Sequence, residues 1–357
     1  MPSEPRILVT GAGGFIGGRV VEVLHSLGRG PVRAGVRRWA SAARIGRLPV
    51  EIVQCDLADP RQVETACQDA TAIVHCAVSL GSVSDESAHL QNLLDAAERH
   101  GVGRIVHLST MEVYGEAAGD IDETRALDAD AAHSHYAKLK IALEAVCRRH
   151  VDRGLPLVIL RPTIVYGPFS DSWTVELAQR LLSSSWSLPE QATQGTCNLL
   201  YIDDLIAAIL LALRSERAVG EAFNVNGSER VTWNQYFQTL GAALGVGGLH
   251  RHGAFTTRAG AWLTQPVRKS AKFLLKRYED QIMSLYRRFW LAKQIMRRAE
   301  RVIRQVPTPA EFRLCSRQAF YRIDKATQFL GYRPRFAMAD GVASSVAWLK
   351  HEGYVGN

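Results

Sequence analysis

Six short runs of branched and aliphatic residues, at 7–9, 32–36, 50–53, 72–75, 104–108 and 157–160, constrain this chain more than any other feature. Taken together the runs are apolar on both strand faces instead of alternating, as in Ile7-Leu8-Val9 and Leu157-Val158-Ile159-Leu160. A strand of that kind needs cover on both faces. Helix-length stretches separate most of the runs, which is the rhythm of parallel strands joined by crossover helices, so the expected class is α/β with a doubly wound sheet. Two later pieces, the helix-like 203–214 and the strand-like Ala222-Phe223-Asn224-Val225, read as returns to that sheet. The rhythm lapses at 171–198 and again after about 227. These stretches are therefore assigned to a second, smaller lobe.

Composition narrows the class further. The 357 residues are 47% hydrophobic and 22% charged, the balance of a soluble globular chain with a sizeable core. The longest uninterrupted apolar run, 205–213, has nine residues; a membrane-spanning helix needs about 20. No leader pattern precedes the first run. The six cysteines, at 55, 67, 76, 147, 197 and 315, form no CxxC pair, so reduced thiols and a cytoplasmic location are expected. Among the 11 histidines no HxxxH or HExxH spacing falls on a helix-like stretch, and no metal site is expected.

Directly after the first run comes Thr10-Gly11-Ala12-Gly13-Gly14-Phe15-Ile16-Gly17, followed by a helix-compatible stretch. A glycine-rich turn between strand and helix lets the backbone approach a diphosphate, whose charge the helix N-terminus then meets. The spacing of Gly11, Gly14 and Gly17 suits a dinucleotide. An acid at the end of the second strand would bind an adenosine ribose 2′-hydroxyl, but this strand ends in Arg37-Arg38. Two guanidinium groups suit a 2′-phosphate, so NADP(H) is expected ahead of NAD(H), although two solvated surface arginines would look the same in sequence. Asp56, after the third run, is placed to accept from an adenine amino group or to cap a helix.

Tyr136 and Lys140 stand four apart, and on a helix over 134–150 they share a face. A phenol is a poor acid–base at neutral pH, but a neighbouring ammonium and an oxidised nicotinamide stabilise the phenolate. Thr110, after the fifth run, offers a hydroxyl to hold a substrate oxygen beside Tyr136.

Taken together, these residues resemble the extended short-chain dehydrogenase/reductase family, of the NAD(P)-dependent epimerase/dehydratase type. The resemblance extends to Cys55-Asp56-Leu57, His75-Cys76-Ala77, Asn92-Leu93-Leu94, Ser109-Thr110 with Val113-Tyr114-Gly115, and Arg161-Pro162 with Tyr166-Gly167-Pro168. It continues through Tyr201-Ile202-Asp203-Asp204 and through Asp324-Lys325-Ala326 with Leu330-Gly331-Tyr332. It implies a Rossmann-type dinucleotide domain over 1–170, with 199–226 returning to it. A substrate-binding lobe over 171–198 and 227–357 is implied, including a basic helical insertion at about 250–312. Tyr136 would be the acid–base, Lys140 the anchor of the nicotinamide ribose, and Thr110 the hydroxyl partner. The cofactor would contact Gly11, Gly14, Phe15, Ile16, Gly17, Arg37, Arg38, Asp56, Leu57 and Ala77, with Tyr136 and Lys140 at its nicotinamide end.

Family members of this size commonly convert nucleotide-activated sugars through a 4-keto intermediate, as epimerases, dehydratases or decarboxylases. Glu112, two residues after Thr110, resembles the carboxylate that abstracts a proton beside the ketone in some of them, and it joins Thr110, Tyr136 and Lys140 as a catalytic candidate. Two departures point the other way. The arginine that many sugar-nucleotide enzymes carry before the Tyr201 segment is replaced by Cys197-Asn198, with Arg313 and Arg317 near a second family arginine position. Glu86 stands where the family has asparagine. Nucleotide-sugar conversion is nonetheless the expected activity, slightly ahead of the alternatives. The alternatives are an NADPH-dependent ketone reductase or alcohol dehydrogenase on a lipid-like or polyketide-like substrate, and a non-catalytic dinucleotide-binding regulator.

The net charge of +8 is local in origin. Residues 251–313 carry 15 Lys and Arg against 4 Asp and Glu, leaving the rest of the chain at −3. Nucleic-acid binding by the dinucleotide domain is not expected. No Gly or Pro interrupts 267–306, and apolar residues from Leu275 to Ile303 recur at alternating spacings of three and four. That pattern predicts a long amphipathic helix. Its basic face over 265–305 either is solvated, with the seam packed on the lobe or on a second subunit of a homodimer, or meets an anionic membrane or acidic partner.

Overall fold

The computed structural model describes residues 6–127, 134–183, 188, 190–247 and 308–356. All six apolar runs become strands of one sheet: β1 (Arg6–Thr10), β2 (Val32–Val36), β3 (Glu51–Gln54), β4 (Ala70–His75), β5 (Arg104–Leu108) and, after the short β6 (Gly119–Ile121), β7 (Leu157–Pro162). Three more short strands follow, β8 (Ile164–Tyr166), β9 (Thr196–Cys197) and β10 (Leu199–Tyr201), before β11 (Ala222–Val225). The sheet order is β11-β7-β5-β4-β1-β2-β3, with every neighbouring pair parallel. The order reverses between β1 and β4. In an open parallel sheet, the crevice beyond the strand ends at such a reversal is where ligands bind.

The connecting helices start where the sequence can satisfy their first N–H groups. Asp59 caps α2 (Pro60–Cys67) by accepting from Arg61 N, and Pro60 opens that helix without losing a hydrogen bond. Ser82 caps α3 (Val83–Arg99), and Ser134 caps α4 (His135–Val151) by accepting from Ala137 N at 2.9 Å. By contrast Gly14, the N-cap of α1 (Phe15–Ser26), has no side chain to offer. Leu8, Ile73, Ile105, Leu157 and Ile159 of the sheet pack with Leu90, Leu94, Leu139 and Val146 of α3 and α4 in one buried cluster.

The chain divides into two compact units, the first made of Met1–Ser170, Asn198–Glu229 and Ala319–Ala337. The sequence rhythm assigns residues 319–337 to the second lobe, whereas the structure places them in the first. There β12 (Ala319–Tyr321) pairs with β6, the Tyr332 hydroxyl donates to Asn226 O at 3.0 Å, and Asp204 accepts from the backbone N–H groups of Arg335 and Phe336. A three-residue strand leaves no apolar run to read, so this return was not visible in the sequence.

The second unit comprises Asp171–Cys197, Arg230–Gln318 and Met338–Asn357. Its core contains Leu177 and Ala178 of α5 (Glu176–Leu182) and, on α6 (Trp233–Ala243), Trp233, Tyr236 and Phe237. The Tyr236 hydroxyl donates to Trp173 O at 2.8 Å. The expected basic helix over 265–305 lies outside the described residues. Among the described residues no helix is long and apolar enough to cross a membrane.

Candidate active site

A cavity of about 350 Å³ opens at the reversal between β1 and β4, lined by the glycine turn after β1, by Arg37, Arg38 and Ser41 after β2, by Cys55, Asp56 and Leu57 after β3, and by Cys76 to Ser79 after β4. Glu86 and His89 of α3 complete its wall. Gly11 adopts φ +66°, and a Cβ there would lie 2.7 Å from Ala77 N. At Gly17 a Cβ would lie 2.3 Å from Gly11 O. Only glycine lets the turn fold this tightly against the start of α1. Because Gly14 supplies no capping side chain, the first-turn N–H groups of α1 are left for a ligand to satisfy.

Of the expected cofactor residues, Gly11, Gly14, Arg37, Arg38, Asp56, Leu57 and Ala77 line this cavity. Phe15, Ile16 and Gly17 form the first turn of α1 behind it. Arg37 and Arg38 are exposed. The Ser41 hydroxyl donates to Arg38 O at 2.6 Å, which closes the loop carrying both guanidinium groups. Asp56 Oδ1 accepts from Ala58 N at 3.1 Å, so this acid shapes the turn into α2, whose cap is Asp59.

Tyr136 and Lys140 do share a face of α4, with the Lys140 Nζ 5.8 Å from the centre of the Tyr136 ring. The Thr110 hydroxyl lies beside the Tyr136 phenol and favours its ionised form. Glu112 stands beside them in the turn after β5, where its Oε2 accepts from Ser134 Oγ at 2.9 Å. All four catalytic candidates thus meet where the end of β5 faces the start of α4.

The electrostatics differ from the sequence argument in one respect. Burial pushes the Tyr136 phenol up to about 12, the Glu112 carboxylate adds to the rise, and the Thr110 hydroxyl opposes it. Lys140 is 4% exposed and donates from Nζ to Leu108 O at 2.7 Å. Burial pushes its ammonium down to about 8. Lowering the phenol into a working range therefore falls to positive charge brought to the site by a ligand. Beneath Lys140 lie two buried histidines with rings stacked 5.2 Å apart, His75 and His107. Burial holds His75 down to about 3, and its Nδ1 shares a 2.7 Å hydrogen bond with Thr10 Oγ1.

Sequence reasoning missed Gly13, Ser41, Ser79 and His89 of the cavity wall. A Cβ on Gly13 would lie 2.3 Å from Ser41 O, a closeness no spacing rule announces. Glu86, noted in the sequence as a departure from the family, is 7% exposed and accepts from Ser79 N at 3.0 Å, tying the loop after β4 to α3. Asn198, in place of the expected arginine, is buried and donates to Ala319 O at 2.8 Å, a structural role. Among the described residues, Asp95, Glu98 and His150 bring potential metal ligands together, but an Arg153 nitrogen lies 3.2 Å from each of the two acids and already supplies the positive charge.

Comparison with known proteins places these features in context. The model of the NAD dependent epimerase/dehydratase family matches residues 7–226. A dTDP-glucose 4,6-dehydratase of Streptomyces antibioticus is 30% identical over 264 residues, covering 68% of this chain and 78% of the relative. A 2-alkyl-3-oxoalkanoate reductase of Stenotrophomonas maltophilia is 26% identical over 275 residues, 72% of this chain and 81% of the relative. The fold is shared with UDP-glucuronic acid 4-epimerase from Bacillus cereus, with a TM-score of 0.71 at 20% identity over 97% of this chain and 99% of that one. The glycine turn, the sheet order and the family match together make this chain a member of the NAD dependent epimerase/dehydratase family, an extended short-chain dehydrogenase/reductase enzyme that depends on a nicotinamide dinucleotide.

Proposed function

We propose that the enzyme prefers NADP(H) and converts a nucleotide-activated sugar through a 4-keto intermediate. The observation that carries this reading is the meeting of Thr110, Glu112, Tyr136 and Lys140 at one strand end, with a carboxylate beside the acid–base pair. A net alcohol–ketone exchange needs the phenol alone, whereas proton removal beside a ketone needs a second base. The 30% identity to a dTDP-glucose 4,6-dehydratase supports the same substrate class.

The residues present fit a dinucleotide: a glycine cradle that any Cβ would fill, an uncapped helix N-terminus for the diphosphate, and Arg37 and Arg38 for a 2′-phosphate. When bound, the cofactor supplies a hydride acceptor and donor. Tyr136 Oη takes the proton of the sugar hydroxyl as the carbonyl forms and returns it when the carbonyl is reduced. Thr110 holds that oxygen in line, and Lys140 would hold the nicotinamide ribose, the positive charge of the oxidised cofactor favouring the phenolate. Glu112 removes the proton on the carbon next to the ketone. In this reading the second unit binds the substrate.

The reductase reading retains two specific supports, the similarity to a 2-alkyl-3-oxoalkanoate reductase and Asn198 in place of a diphosphate-binding arginine. Incubation with NADP⁺ and dTDP-glucose, UDP-glucose or UDP-glucuronate in deuterated water separates the two. Solvent deuterium entering the sugar beside C4, abolished in Tyr136→Phe, is the expected result. NADPH consumption by a 3-oxoacid with no change in any sugar nucleotide would replace the proposal with the reductase.

A further inference from the structure

Below the catalytic cluster lies an ion pair that the mechanism does not use. Arg161 of β7 donates from Nε and Nη2 to the two oxygens of Glu144 at 2.9 and 2.6 Å, and each residue is 1% exposed. Glu144 stands on α4 one turn beyond Lys140 and two beyond Tyr136. Its Oε1 also accepts from Ser109 Oγ at 2.5 Å, and Ser109 immediately precedes Thr110. Arg161 spends its remaining nitrogen, Nη1, on the Tyr114 hydroxyl at 2.7 Å, and Tyr114 in turn donates to Asn224 Oδ1 of β11 at 2.6 Å. Thus one pair holds the segment bearing Thr110 and Glu112 at both its ends, Ser109 and Tyr114, and holds the helix bearing Tyr136 and Lys140.

Two apolar side chains of the same volume would fill this space without desolvating two charges. They would not select one sliding position of α4 over β5. The bidentate fork does, because its two parallel bonds fail together when the helix shifts or rotates. We propose that Glu144 and Arg161 are the positioning pair of this enzyme, setting the register of α4 on β5 and β7 so that the Tyr136 phenol meets the Thr110 hydroxyl. The proposal rests on the acid–base reading of Tyr136.

The test reads the ionisation of Tyr136 directly. Tyrosinate ultraviolet absorbance is titrated in the NADP⁺ complex and differenced against the same protein carrying Tyr136→Phe, for the parent chain, Glu144→Gln and Arg161→Lys. The groups facing Lys140 are Glu144 and Cys147 on its own helix, His75 and Cys76 at the end of β4, His107 on β5 and Glu86 on α3; Glu112 faces Tyr136. All of these remain in Arg161→Lys, which keeps the charge and loses the fork. A rise of about one pH unit in the Tyr136 midpoint in both variants, with NADPH affinity changed no more than a few-fold, is expected once the phenol no longer meets the Thr110 hydroxyl. An unchanged midpoint in folded variants would reduce the pair to a stability element and overturn the proposal. If a single variant fails to fold, the double variant Glu144→Leu with Arg161→Met removes both charges and carries the same expectation. Failure of the acid–base reading has another signature: Tyr136→Phe stays active while the midpoint shift persists.

Discussion

Replacing Lys140 with methionine should make the protein more stable at neutral pH and less stable in strong alkali. Lys140 is 4% exposed, and burial lowers its ammonium from 10.5 to about 8. The unfolded chain therefore still holds this proton between about pH 8 and 10.5, where the folded chain has released it. Stability from this group rises with pH across that window, and below it the folded state carries the full penalty. A shift of this size corresponds to about 3 kcal/mol at pH 7. Against the gain from removing it stands the Leu108 carbonyl, which loses the 2.7 Å bond from Nζ, a loss of roughly 1 kcal/mol. The net expectation at pH 7 is a gain of about 1–2 kcal/mol, shrinking above pH 8 and turning into a loss near pH 10.5. Urea unfolding of the cofactor-free protein and of Lys140→Met, at matched pH values from 7 to 10.5, measures the difference. A variant less stable than the parent at pH 7, or a difference that does not move with pH, would refute the argument.

Three other outcomes follow from the site geometry. Neutral replacements at Arg37 and Arg38 should weaken NADPH by at least about tenfold while NADH changes little, measured by fluorescence titration; equal weakening of both would leave the arginines as loop residues only. Glu112→Gln should retain hydride exchange at the carbinol carbon but lose solvent deuterium uptake beside the ketone, and unchanged uptake would remove Glu112 from the base role. Gly17→Ala forces a Cβ to 2.3 Å from the backbone oxygen of Gly11, so the turn must open. About 1–3 kcal/mol of stability should be lost, together with dinucleotide affinity, and a variant with parental melting and binding would contradict the close packing described.

Apolar residues on both faces of the runs from Ile7 to Leu160 are enough to determine a parallel sheet, because such strands survive only when both faces are covered. The turn from Gly11 to Gly17 and the four-residue spacing of Tyr136 and Lys140 were equally local, each being a statement about one turn or one helix. Residues far apart in sequence were decided by tertiary structure alone. Nothing near Ser41 foretold its place against Gly13, and nothing in residues 319–337 announced a strand that pairs with β6. The direction of the Tyr136 shift was also illegible, since proximity to a lysine in sequence suggests a lowered phenol while burial raises it. Glu144 and Arg161 show the same limit: each is an ordinary charged residue in its own segment. Only the packing of α4 on β5 and β7 removes both from water, where two charges must find each other or leave the core.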